Sequence, residues 1–187
     1  MALSLMIMTA VISSYVFLGR NFARSLGISS ATEPNLEAQG RRTLTEFTRD
    51  VRMASGLTGT LNSSELTLIL PTSTGSKNVT YYYNNTSSSV TIYGVATPKR
   101  SLTRIDRSTS TGMVLHTNLL QSPTAPRFDY YDISGNAYSS YVNYLRGIKQ
   151  VAMSFSAQAG SSINGTLTPV FTITSPRMIL RNIPLLD

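Results

Sequence analysis

The sequence predicts an α+β fold in which a long N-terminal helix packs on an antiparallel β-sheet domain. Three features of its 187 residues predict this fold: an apolar stretch at the start, an amphipathic helical pattern after it, and an alternating pattern over the remaining two-thirds. A helix with an apolar stripe and a sheet with one apolar face bury those surfaces against each other. We place the helical part at residues 1–56 and the globular β domain at residues 57–187.

The first nineteen residues contain no charged side chain, and Arg20 ends the apolar stretch. A helix of this length, rising about 1.5 Å per residue, nearly spans a bilayer core of roughly 30 Å. We therefore expect the first half of the helix to be a single transmembrane span. A cleaved signal peptide is the alternative, but it needs basic residues before its apolar run, and none is present.

The basic residues lie on the side of this stretch opposite to the one expected if the rest of the chain is exported. Arg20 and Arg24 follow it and no basic residue precedes it, so the positive-inside rule would keep the rest of the chain cytoplasmic. We expect the natural reading frame to begin upstream, with a short basic leader that restores the balance.

The second half of the predicted helix is amphipathic and ends near Gly56, after a break predicted between residues 27 and 33. Four apolar side chains recur at spacings of eight, three and four residues, which places them on one helical face. We expect that face to pack on the sheet. The residues are Leu36, Leu44, Phe47 and Val51.

Four arginines form the densest positive cluster of a chain with a net charge of +7, and they are candidates for contacts with anions: Arg41, Arg42, Arg49 and Arg52. Glu37 precedes Arg41 by four residues, and Glu46 lies between two of the arginines, so local ion pairs are expected. The only aromatic residue interleaved with these arginines is Phe47, which lies on the inner face. This composition favours a solvated face with salt bridges, and no nucleic-acid partner is expected.

After residue 56 the period changes to two, which is typical of half-buried strands. Polar turns separate the alternating segments, so we predict antiparallel hairpins. The predicted strands cover residues 65–70, 78–83, 90–95, 113–120, 127–133, 148–158, 167–174 and 177–181.

The sequence contains no constellation typical of catalysis or metal binding. His116 is the only histidine, there is no Cys, and a structural role for the histidine is favoured because no second ligand or spaced acid accompanies it. Asp129 and Asp132 flank two tyrosines, but their spacing is too short for a calcium-binding EF-hand loop. We predict no enzyme activity, no catalytic residue, no metal and no cofactor.

The order of parts resembles the pilin-like subunits of type IV pili and type II secretion systems, which begin with a prepilin cleavage and methylation region. Three stretches resemble the J-type minor pseudopilins: RRTLTEFTRDVRMAS at residues 41–55, RFDYYDISGN with GIKQVAMSFSAQ at 127–136 and 147–158, and SPRMILRN at 175–182. The glycine cleavage site and early glutamate of that family are missing, since the first acidic residue is Glu33.

The resemblance implies a structural subunit, a minor pseudopilin of a type II secretion or type IV pilus-like filament. Its implied partners are other pilin-like subunits and the inner membrane. The implied location is the bacterial inner membrane, with a single pass and with the C-terminal domain periplasmic or extracellular after assembly. The resemblance also implies that the apolar residues join neighbouring helices through Leu3, Ile7, Ala10, Val11, Ser14 and Phe17.

An alternative of another class is a single-pass, membrane-anchored extracytoplasmic binding module. In that case the tyrosine-rich strands and the basic residues 99–107 would bind polysaccharide, an anionic surface or DNA. This alternative predicts that the monomer binds its ligand without partner helices.

Overall fold

The structure is a computed structural model that describes residues 36–59, 62–120, 127–138, 145–158 and 170–180. Within these ranges the chain forms one α-helix, one 3₁₀ turn and eleven strands. Helix α1 spans Leu36–Met53 and the 3₁₀ turn spans Leu145–Gly147. The strands are β1 (Gly56–Thr58), β2 (Glu65–Thr72), β3 (Gly75–Asn84), β4 (Val90–Ile92), β5 (Val95–Thr97), β6 (Ser101–Asp106), β7 (Thr111–His116), β8 (Arg127–Tyr131), β9 (Gln150–Gln158), β10 (Val170–Thr174) and β11 (Met178–Ile179).

The first sheet has five strands in the order β1-β2-β3-β6-β7, and all of its pairs are antiparallel. Strands β4 and β5 form a separate hairpin inserted between β3 and β6. Its turn consists of Tyr93 and Gly94, with φ angles of 51° and 79°. Two consecutive positive φ angles are typical of the tight turns whose twist matches that of a hairpin.

The second sheet is centred on β9. Strands β8 and β11 both pair with Gln150 and Val151, so they lie on opposite sides of β9. Strands β8 and β10 both pair with Ser154, which places β10 on the same side as β11. The sheet therefore has β8 along one side of β9, and β10 followed by β11 along the other.

A short segment joins the two sheets. The backbone N–H of Leu119 donates to the carbonyl of Arg100, next to β6, and the N–H of Leu120 donates to the carbonyl of Ser156 in β9. Leu119 also forms an antiparallel bridge with Ala157. The two sheets are thus linked by backbone hydrogen bonds as well as by side-chain packing.

One hydrophobic core is shared by α1 and both sheets. The ring of Phe47 meets Tyr81 edge-on at 5.4 Å between centroids and lies 6.2 Å from Phe128. Tyr83 extends the cluster, with its centroid 4.9 Å from that of Phe128. Aromatic rings in such offset arrangements contribute roughly 0.5–1.5 kcal/mol per pair beyond their burial.

Gly40 is required by the close approach of α1 to β10. A Cβ atom at this position would lie 2.2 Å from Cδ1 of Ile173 and 3.2 Å from Cε1 of Phe171. Glycine costs about 1 kcal/mol in a helix interior relative to alanine. Gly40 therefore lowers the intrinsic stability of the helix but allows α1 to pack more closely against the second sheet.

The structure corrects the predicted fold class. We expected a long N-terminal helix, transmembrane in its first half and amphipathic in its second, packed on an antiparallel β-sheet domain. The described part of the chain is instead mostly antiparallel sheet with a single short helix of 18 residues. The physical reason is that the alternating pattern begins at Gly56 and continues almost without interruption, so strands dominate the fold.

The predicted inner-membrane localisation, with a single pass and an exported C-terminal domain, is also contradicted. None of the helical segments in the described ranges is both long and apolar enough to cross a membrane. Helix α1 carries seven charged side chains among its 18 residues. Residues 1–19, predicted as the span, and the break predicted at 27–33 lie outside the described residues, and the division at residue 56 stays a prediction.

The strand predictions were right in kind, but three elements were wrong, and the strands predicted to end at residues 120 and 133 end at His116 and Tyr131. The segment 90–95 is a hairpin and not one strand, because the Tyr93–Gly94 turn interrupts it. Strand β6 was missed because its basic composition resembled a loop. Strand β1 was missed because it has only three residues.

Candidate assembly surface

The inner face of α1 is fixed to the sheets by apolar side chains. Phe47 and Val51 are completely buried, while Leu36 and Leu44 are partly buried and pack against the same core. The helix contacts β2 and β7 of the first sheet and β9, β10 and β11 of the second. All four residues proposed for packing thus lie on the side of α1 that faces the sheets.

A buried carboxylate also holds the helix in place, and sequence analysis did not identify it. Asp50 has no exposed surface, and its Oδ2 accepts hydrogen bonds from the Tyr81 hydroxyl at 2.9 Å and from Arg104 Nε at 2.6 Å. Its Oδ1 lies 3.4 Å from Arg49 Nη2. The available signal was spacing: Asp50 follows Phe47 by three residues and therefore lies on the apolar face.

Asp50, Tyr81 and Arg104 form the Asp50 cluster, and their surroundings shift the pKa values of the tyrosine and the arginine. Burial, followed by the charge and hydrogen bond of Asp50, raises the pKa of Tyr81 well above its usual value. Burial acts to lower the pKa of Arg104, but the hydrogen bond and charge of Asp50 outweigh it and raise that pKa. Arg104 therefore stays cationic and Tyr81 stays a neutral donor, which suits a structural ion pair and not acid–base chemistry.

The four arginines proposed for anion contacts lie on the outer side of α1. Arg41 is paired with Glu37, and Arg49 is paired with Glu46, as the spacing predicts for local ion pairs. Arg42 Nη2 lies 3.0 Å from the sulfur of Met113. Arg52 is exposed, and within the described ranges it has no ion-pair partner. Only part of the cluster is thus available to an external anion.

An open depression of about 580 Å³ lies along the flank of α1, between Leu44 at the edge of the inner face and the arginines of the outer side. Its lining combines apolar atoms with two guanidinium groups, and Met53 is 44% exposed beside it. Such a surface can receive an apolar side chain flanked by a carboxylate. The lining residues are Leu44, Thr45, Thr48, Arg49, Arg52 and Met53.

The start of α1 is held by the end of β7. His116 is buried against Phe155, with 5.0 Å between ring centroids, and its Nδ1 and Nε2 lie 2.7 Å and 3.2 Å from the carbonyl oxygens of Thr117 and Leu36. Burial lowers the pKa of His116 and outweighs those two hydrogen bonds, which act to raise it. Gln39 Oε1 accepts from the backbone N–H of Thr117 at 3.1 Å. The histidine therefore occupies a structural position at the start of the helix.

The two aspartates considered for calcium are engaged within the chain. Asp129 Oδ2 lies 3.2 Å from Arg127 Nε. Asp132 accepts hydrogen bonds from the backbone and side-chain amides of Asn136, and these bonds lower its pKa. Among the residues that the structure describes, no group of three potential ligands is placed to hold a metal ion.

The residues proposed for the alternative binding module are largely internal. Tyr81, Tyr83 and Tyr130 belong to the core. In the basic segment, Arg104 binds Asp50, while Arg107 donates to Glu65 at 2.8 Å and lies 3.6 Å from the ring centroid of Tyr93. These residues are therefore engaged within the fold, whereas Tyr93, Lys99 and Arg100 are exposed.

The residues proposed for helix–helix assembly, Leu3, Ile7, Ala10, Val11, Ser14 and Phe17, lie outside the described residues. Comparison with protein-family models, with curated proteins and with solved structures gave no match to this chain.

Proposed function

We propose that this chain is a pilin-like structural subunit, of the minor pseudopilin type, in a filament of the type II secretion or type IV pilus class. One observation carries the proposal: the three stretches that resemble that family meet in space. Helix α1, from the first stretch, contacts β9, β10 and β11. Strand β8 pairs with β9 within the second stretch, and β11, from the third, pairs with β9. This packing supports the proposal that the three stretches form one structural unit.

The Asp50 cluster supports a structural role for the helix. An ion pair with no exposed carboxylate surface resists rotation or sliding of α1, because either motion would leave a buried charge without its partner. A force applied through the residues before Leu36 would thus reach the first sheet through this ion pair, and the second sheet through the packing of α1 on β9, β10 and β11. A filament subunit needs this coupling between its assembly segment and its exposed domain.

In this proposal the apolar residues 1–19 make the contacts between subunits, and the partners are other pilin-like subunits. The role is mechanical and not catalytic. The binding-module alternative is less well supported, because Tyr81, Tyr83 and Tyr130 are buried and two of its arginines are bonded within the fold.

Cysteine cross-linking in filaments tests the proposal. The chain has no native Cys, so a single introduced thiol reports on one position. We expect Ala10→Cys and Ser14→Cys chains to appear in filaments sheared from the producing cell, and to form disulfide-linked species with neighbouring subunits that carry a matching cysteine. Ser87→Cys, on an exposed loop of the β domain, is the matched control and should enter filaments without forming that cross-link.

A second pair of variants separates assembly from folding. Ile7→Asp with Val11→Asp should remove the chain from filaments, whereas Thr109→Asp, on an exposed turn, should not. The proposal would be refuted if the unmodified chain were absent from sheared filaments and if cells with the Ile7→Asp, Val11→Asp variant kept normal secretion and filament formation.

A further inference from the structure

The second sheet has an outer face that forms a groove of about 500 Å³. Side chains alternate along β8, so Phe128 and Tyr130 enter the core while Arg127, Asp129 and Tyr131 line the groove. Binding pockets for small molecules typically measure about 300–1,000 Å³. The groove is therefore large enough for a ligand of one or two rings.

Small side chains of β9 form the floor of this groove, and larger ones on either side form its walls. Ala152, Ser154 and Ser156 project between the side chains of β8 and β10. The hydroxyls of Ser156 and Thr172 lie 2.9 Å apart, while Thr174 is exposed beside Ser154. The floor and one wall thus present hydroxyl groups that can both donate and accept hydrogen bonds.

The charged groups of the groove leave an excess of donors. Arg127 contacts Asp129 through Nε and its side chain is 63% exposed. Arg177 lies 4.1 Å above the ring centroid of Tyr131 and donates from Nη1 to the carbonyl of Gly135. Within the described ranges the other N–H groups of both guanidinium groups have no partner. Two arginines against one aspartate give the lining a net charge of +1.

We propose that this groove binds a saccharide that carries a carboxylate group. A guanidinium group can bind a carboxylate through two parallel hydrogen bonds. The Asp129 carboxylate and the hydroxyls of Ser154 and Thr174 match the hydroxyls of a sugar ring. A neutral saccharide would leave the positive lining without a counter-charge, and a phosphodiester chain would offer few free hydroxyls to Asp129, Ser154 and Thr174.

Calorimetric titration of the full chain with trigalacturonate tests the site, with maltotriose as the neutral probe. We expect saturable binding of one trigalacturonate and at least tenfold weaker binding of maltotriose. Arg177→Gln removes one guanidinium group, and Ser154→Leu fills the floor without changing any charge. Arg177→Gln should weaken trigalacturonate binding about tenfold to a hundredfold, the range for loss of a charge-assisted hydrogen bond. Ser154→Leu should weaken it by at least about tenfold, because the larger side chain occupies the space of the sugar ring and removes a hydroxyl.

Thr109→Asp is the matched control, because it lowers the net charge by the same amount on an exposed turn of the first sheet. It should leave binding within about twofold of the unmodified chain. An equal loss in Thr109→Asp would mean general attraction to a basic protein and would overturn the proposal. Absence of saturable binding, or equal affinity for the two probes, would overturn it as well. Far-UV circular dichroism and the urea midpoint confirm that each variant is folded.

Discussion

Two neighbouring tyrosines on β3 should respond in opposite ways to the same substitution. Tyr81 and Tyr83 are both buried and both lose one oxygen atom on replacement by phenylalanine. The Tyr81 hydroxyl donates to the buried carboxylate of Asp50 at 2.9 Å. The Tyr83 hydroxyl is buried and has no hydrogen-bond partner within the described ranges. The pair isolates the contribution of a hydrogen bond from that of ring burial.

The magnitudes follow from these contacts. A hydrogen bond to a charged group contributes about 1.5–3 kcal/mol, so Tyr81→Phe should lower the free energy of unfolding by about 2 kcal/mol. A buried hydroxyl without a partner costs roughly 1–3 kcal/mol to desolvate, so Tyr83→Phe should be neutral or should stabilise the fold by up to about 1 kcal/mol. The two variants should therefore differ by about 2–3 kcal/mol.

Urea unfolding followed by far-UV circular dichroism measures this difference, since the chain has no Trp for fluorescence. With a slope of about 1–3 kcal/mol per molar urea, the two midpoints should differ by about 1 M or more at an unchanged slope. Equal losses in the two variants would refute the reasoning, because they would show that the two hydroxyls have equivalent surroundings.

Three further predictions concern the helix. Asp50→Leu should destabilise the fold by about 3–5 kcal/mol because it leaves the charge of Arg104 without its partner. Adding Arg104→Met should recover most of that loss, and additive losses in the cycle of these two substitutions would contradict this. His116 has a lowered pKa in the fold, so its contribution to stability is present above its usual pKa of 6.5 and is lost as the pH falls through the folded value. The wild-type chain should therefore lose stability between pH 7 and pH 5 more steeply than His116→Gln, by at most about 1.4 kcal/mol per pH unit, and parallel pH profiles would argue against it. Gly40→Ala should lower the thermal midpoint despite the higher helix propensity of alanine, because the added methyl collides with Ile173; a raised midpoint would show that Ile173 can move aside.

Local pattern was enough to predict the secondary structure of much of the described chain. The apolar spacing from Leu36 to Val51 predicted α1, and alternation predicted most of the strands. The same reasoning predicted a longer helix than the described residues contain. It included the apolar residues 1–19, which lie outside the described ranges. Strand β6 was not predicted because its basic residues resemble those of a loop. In the structure Leu102 enters the core, while Arg104 donates a hydrogen bond to the buried Asp50.

The Asp50 cluster and the groove depend on long-range pairing, which a single sequence does not contain. Asp50 and Arg104 are 54 residues apart. The groove requires Arg127 and Arg177 to flank β9, and this depends on β8 and β10 pairing on opposite sides of the same strand. The sequence indicated which residues were charged, but the register of the sheet decided which of them met.

The separation of the Asp50 partners along the chain also bears on the order of folding. The β2–β3 and β6–β7 hairpins close over short loops, whereas the contacts of Asp50 with Tyr81 and Arg104 must close loops of 31 and 54 residues. We therefore expect the carboxylate to engage after the transition state, with a φ-value near zero for Asp50→Asn. Loss of that contact would then shorten the lifetime of the native state and leave the rate of folding almost unchanged, which would appear in a chevron plot as a shift of the unfolding arm alone.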